Sequence, residues 1–157
     1  MKKIFFLSLA SLLMLSCKTT QSGNGEGTNI LEKVDAKEYV FNATMALPSG
    51  HKSVPLSYGY SLKVSGDTVH CYLPYYGRAY VAPMTPDESG IKFNTTDAKY
   101  SVKEKKSSRE IKIVASNAKG RSITLNLDIQ ASGQASLRVN DPDLSVISYF
   151  GNVETLK

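Results

Sequence analysis

Residues 121–130 read RSITLNLDIQ. Ile123, Leu125, Leu127 and Ile129 alternate with Thr124, Asn126 and Asp128, a period of two that turns one face to a core and the other to water. Neighbouring segments repeat it: Leu56, Tyr58, Tyr60, Leu62 and Val64; Val69, Cys71 and Leu73; Ile111, Ile113 and Ala115; Ala135, Leu137 and Val139. Between them lie Ser65-Gly66-Asp67, Asn117-Ala118-Lys119-Gly120 and Ser132-Gly133-Gln134, short enough to be tight hairpin turns. Consecutive strands joined in this way run antiparallel. With YVFNATMAL (residues 39–47), KYSVKEK (99–105) and SVISYFGNV (145–153), the chain predicts an all-β, antiparallel meander of about eight strands. An up-and-down barrel and a two-layer sandwich both satisfy that pattern. Only residues 30–37 look helical, enough for one or two turns.

The start of the chain has a different grammar. Lys2 and Lys3 precede an apolar stretch over residues 4–15, then Ser16 and Cys17. A helix of that length reaches about 18 Å, short of the ~30 Å hydrocarbon layer, so it predicts a secretory signal peptide over residues 1–16 rather than a span. The tract ending at Cys17 resembles the lipobox of bacterial lipoproteins, which implies a diacylglyceryl group on that thiol. Multiple acyl chains make such anchoring stable. Residues 18–29, KTTQSGNGEGTN, have no apolar side chain and are expected to be a flexible tether, with a single β domain over 30–157. KTTQ lacks an acidic cluster, which by the same resemblance implies the periplasmic face of the outer membrane.

Composition removes several function classes. The precursor holds 19 Lys and Arg against 14 Asp and Glu, and loss of Lys2 and Lys3 with the signal leaves 17 cations and a net charge of +3. That is too mild for a nucleic-acid partner. Residues 99–121 hold eight basic side chains against Glu104 and Glu110. They suit either anionic lipid headgroups or, as expected here, a solvated hairpin protected from edge pairing. With Cys17 acylated, only Cys71 remains, in the core-facing register, so no intrachain disulfide forms and the thiol is expected to be inert.

Nothing assembles a catalytic or metal site. His51 and His70 lack metal-ligand spacing to Asp, Glu or Cys, and no cofactor is implied. Ser49-Gly50-His51-Lys52 matches a Ser-x-x-Lys pattern, but Pro48 and Gly50 favour a turn over the helix that chemistry requires. Asp141-Pro142-Asp143 reads as a turn, since two carboxylates do not satisfy calcium. The distinctive stretch is HCYLPYYGRAYVAPMTPDESG, residues 70–90, which presents Tyr75, Tyr76, Arg78 and Tyr80. Rings with polar rims beside a guanidinium form a platform for a glycan or peptide. Alternatively, they cover the barrel end and satisfy loop carbonyls, the expected role for large side chains in a Pro- and Gly-rich loop.

YLPYYGRAYVAP, with GIKF, YSVKEKK and the closing SVISYFGNV, resembles a family of small Bacteroidota-type lipoproteins defined as domain of unknown function 4251. The resemblance runs from about Tyr39 to Val153. It implies an all-β exported domain and brings no activity. The segment before Tyr39 is shorter than that pattern carries, so a helix closing the β-structure is not expected. Asp67-Thr68-Val69 resembles the Asp-Ser/Thr-aliphatic acceptor of O-glycosylation in such bacteria, making Thr68 a candidate. The expectation is a lipid-anchored envelope protein that binds or supports without catalysis. Its partners are the membrane, through the anchor, and a glycan, a peptide or another envelope protein. The alternatives are an envelope hydrolase acting on glycan or peptide, and a subunit of an envelope assembly.

Overall fold

The structure, a computed structural model, describes residues 25–57, 59–80, 90–117 and 119–156. The signal segment, Cys17 and the first part of the tether lie outside them. One helix, α1 (Gly25–Asp35), precedes ten strands: β1 (Glu38–Pro48), β2 (Val54–Pro55), β3 (Ser61–Ser65), β4 (Thr68–Leu73), β5 (Ile91–Thr95), β6 (Lys99–Glu104), β7 (Ser108–Ser116), β8 (Ser122–Gln130), β9 (Gln134–Asn140) and β10 (Ile147–Thr155). Nine of them form one path, β5-β4-β3-β1-β10-β9-β8-β7-β6, with the short β2 paired to β1. Every pairing is antiparallel. The meander is therefore all-β as expected, with β10 returning beside β1.

The sheet curls into a half-barrel. Tyr39 on the interior strand β1 and Tyr100 on the terminal β6 meet hydroxyl to hydroxyl at 3.1 Å, which requires the β6 edge to bend over the inner face. Eight antiparallel steps separate β5 from β6, so the two run in the same direction although only residues 96–98 lie between them. They are one bent strand, pairing first with β4 and then with β7, and that covalent link joins the two ends of the sheet.

Alternation places the core as the sequence predicts. Ile123, Leu125, Leu127 and Ile129 are buried, together with Leu62, Val64, Val69, Cys71, Leu73, Ile111, Ile113, Leu137 and Val139. The strand expected over 56–64 begins only at Ser61, because the backbone at Gly59 takes a positive φ of 107° that breaks the extended run. Tyr58 lies outside the described residues. GIKF forms an additional strand, β5.

Two expectations at the N-terminal side are corrected. From Gly25 onward the chain is helix rather than tether, and α1 has 11 residues rather than one or two turns. It also closes the structure: Val34 is fully buried, Ile30 packs on the core, and the helix touches β1, β10, β7 and β8. Docking, not composition, extends it, since a short helix in water depends on tertiary contacts for most of its stability. Arg109 of β7 grips Asp35 through two bonds, Nε to Oδ1 at 2.7 Å and Nη2 to Oδ2 at 2.9 Å. Lys37, with φ 57°, ends the helix; its ammonium lies 5.2 Å from the Tyr100 ring centre and 3.3 Å from Asp67.

Candidate functional site

The chain leaves β4 at Leu73 and enters residues 74–80. Inner-face Tyr149 donates to the Pro74 carbonyl at 2.6 Å, fixing the loop's base. The Tyr75 hydroxyl lies 2.8 Å from the Arg78 carbonyl, 3.1 Å from the Ser145 carbonyl and 2.7 Å from Ser145 Oγ. Its single proton goes to one of these oxygens while its lone pairs remain open to the Ser145 hydroxyl proton. Backbone bonds complete the zipper: Ser145 N to Arg78 O at 2.9 Å, Tyr80 N to Asp143 O at 2.8 Å, and an Ala79–Leu144 bridge. A methyl group at Gly77 would stand 2.6 Å from the Tyr75 hydroxyl and 2.9 Å from Ser145 Oγ, so that close approach requires glycine.

The facing connection is itself held. Asp143, a buried carboxylate, pairs with Arg121 at 2.5 Å and accepts from Asn117 Nδ2 at 3.2 Å. Asn117 Oδ1 accepts from the backbone N–H groups of Lys119 and Arg121, and Asp141 Oδ1 accepts from Asp143 N at 2.8 Å. The Asp141-Pro142-Asp143 turn is thus part of a network locking three connections into one body: the tyrosine loop, the β7–β8 turn and the β9–β10 segment. Pairing over 22 positions leaves no local trace in a sequence.

On this framework the other loop side chains face outward. Tyr76 is 36% exposed and Tyr80 64%, and Arg78, also exposed, contributes only its backbone to the described hydrogen bonds. The packing role expected of the whole stretch therefore falls on Tyr75. Below the loop, Tyr72 on β4 stacks on Tyr60 at 5.8 Å between centroids, and Lys92 of β5 sits 5.2 Å from the Tyr72 ring centre. The result is a rigid, ring-rich rim with an available guanidinium, suited to apolar sugar or peptide faces and to a carboxylate.

The family model for the domain of unknown function DUF4251 matches residues 22–153, from ahead of α1 well into β10. The chain belongs to the DUF4251 family. A crystal structure of a DUF4251 protein from Bacteroides eggerthii DSM 20697 is similar to it, with a TM-score of 0.60 over 85% of this chain and 89% of that one, at 13% identity. At that identity the likeness is one of fold. No curated protein matches the sequence.

The remaining candidates of this DUF4251 chain are scattered. Cys71 is buried, and burial pushes its thiol far above the usual range. His70 lies exposed on β4 between Lys63 and Asn94 of the flanking strands, and His51 is exposed just past a turn at Ser49 and Gly50. Among the described residues no group of three or more His, Cys, Asp or Glu side chains is placed to hold a metal. Thr68 is half-buried at the first position of β4, beside Asp67, which pairs with Lys37. Among the described residues no helix is long and apolar enough to cross a membrane.

Proposed function

We propose that this DUF4251 protein is held by a lipid on Cys17 at the periplasmic face of the outer membrane. There it binds a glycan or a carboxylate-bearing peptide through Tyr76, Arg78 and Tyr80, without catalysing a reaction. The observation that carries the reading is the division of labour in residues 74–80. Tyr75 and Gly77 are spent on locking the loop, whereas two tyrosines and an arginine are displayed by it. A platform ordered in advance does not pay for its ordering on association. The non-catalytic reading is supported by the placement of the nucleophilic and basic groups: the Cys71 thiol is sealed in the core and both histidines stand apart on the surface. The anchor is supported by the basic, apolar and Ser-Cys order of residues 1–17.

Fractionation tests the anchor. Cys17→Ser should move the protein from the membrane fraction to the soluble periplasm, and protease added to intact cells should leave the parent uncut. Retention in membranes after a high-salt wash contradicts the lipid, and cleavage places the domain outside the cell.

A further inference from the structure

The convex side of β6 to β9 carries two parallel rows of outward side chains. Cross-strand register sets Ser101, Lys112, Asn126 and Arg138 in one row and Lys103, Glu110, Asp128 and Ser136 in the next. Between them lies a trough of about 500 Å³. Ile111 and Leu127 line it while their side chains are buried in the core, so its floor there is backbone. Four strands at the usual spacing make it about 14 Å long.

The two walls differ in chemistry. On one, Lys112 and Arg138 flank Asn126, and neither cation has a carboxylate within ion-pair distance among the described residues. On the other, Glu110 is held by Lys103 at 3.8 Å and by Lys105, and Asp128 accepts from Gln130 Nε2 at 2.7 Å. Phe150 of β10 lies cross-strand from Ser136 and is 51% exposed, which sets an apolar ring face at the end of the second row.

We infer that this trough is a second ligand site, independent of the tyrosine loop, and that it takes a linear oligosaccharide bearing carboxylates. The unpaired cations fit spaced carboxylates, the Asp128 carboxylate and the Ser and Asn side chains fit sugar hydroxyls, and Phe150 fits a pyranose face. The shape suits a chain laid across the strands. An anionic membrane surface is a poorer occupant, because a plane of headgroup phosphates meets both walls at once, Glu110 and Asp128 included, whereas a single chain can turn its carboxylates to Lys112 and Arg138 and its hydroxyls to the other wall.

The test uses the full chain in detergent micelles, titrated calorimetrically with an oligogalacturonate and with its fully methyl-esterified, neutral form. The acid form should bind and the ester should bind at least about tenfold more weakly. Lys112→Met and Arg138→Met should each weaken the acid form by about tenfold with the melting midpoint unchanged, since both side chains are exposed. Lys63→Met, on the outer face of β3, should leave this affinity alone. No binding of the acid form, equal binding of acid and ester, indifference to both cation variants, or an equal loss on Lys63→Met would each overturn the inference. So would flotation of the Cys17→Ser chain with phosphatidylglycerol vesicles that Lys112→Met abolishes, if the oligosaccharide does not compete.

Discussion

Replacing Tyr75 by Phe removes one hydroxyl and nothing else. That oxygen is 2.7 Å from Ser145 Oγ and 2.8 Å from the Arg78 carbonyl, and an intramolecular hydrogen bond contributes about 1 kcal/mol net. Ser145 Oγ keeps the Arg78 N–H at 3.2 Å and the Arg78 carbonyl keeps the Ser145 N–H at 2.9 Å, so of the three oxygens around the hydroxyl only the Ser145 carbonyl, at 3.1 Å, loses its described partner. The expected loss is therefore about 1–2 kcal/mol, a fall in melting midpoint of about 3–6 °C for a chain of this size. Gly77→Ala should cost at least as much, because its methyl would displace the same hydroxyl. Tyr76→Ala and Arg78→Ala, both exposed, should stay within about 0.5 kcal/mol of the parent. Calorimetric melts of the full chain, with amide exchange read at Tyr80 and Ser145, separate the variants. The reasoning fails if Tyr75→Phe melts with the parent while Tyr76→Ala or Arg78→Ala loses more than about 1 kcal/mol.

A methyl on Gly151 would meet the Asn42 carbonyl carbon at 2.9 Å and the Phe41 ring at 3.0 Å, with the Asn42 oxygen closer still. Gly151→Ala should therefore push β1 from β10 beside the irregularity at Ala43 and Met45 and cost about 3 kcal/mol or more, read by chemical denaturation. A melt matching that of the parent would contradict this. Alkali should unfold the domain early: burial raises Tyr39 and Tyr149, and burial raises Tyr100 to about 12, against about 10 in an unfolded chain. Stability is then full below about pH 10 and falls toward about pH 12 as the unfolded state alone loses phenolic protons, and a flat denaturation midpoint across that window would refute it. If Thr68 is a glycan acceptor, native intact mass exceeds polypeptide plus lipid and the excess disappears in Thr68→Ala; an excess that survives sinks the assignment.

Inner-face residues were legible because strand alternation is a local property, and RSITLNLDIQ needs no partner to show which side is apolar. The residue that holds the loop was not. Tyr75 and Tyr76 are adjacent and chemically identical, and only the position of Ser145, 70 residues away, makes one a clamp and the other a display. Helix α1 is longer than its composition suggests for a similar reason: its stability lies in docking on four strands with Val34 buried, which composition does not encode. The bent β5–β6 strand was hidden because residues 96–98 read as an ordinary connection, and direction becomes visible only after the pairings are counted around the sheet. The outward rows had a faint signal, since Lys112, Asn126 and Arg138 each sit at polar positions of alternating strands, but register alone aligns them.

The reading of the loop as a display surface is tested most directly by a photocrosslinking amino acid placed at position 76 of the full-length protein in living cells, with the same group at Lys63 on the outer face of β3 as control. The account predicts an adduct with a glycan or polypeptide from position 76, absent from position 63 and abolished by Arg78→Ala, in a protein whose melting midpoint matches the parent. Equal labelling from both positions, or an adduct indifferent to Arg78→Ala, would contradict it.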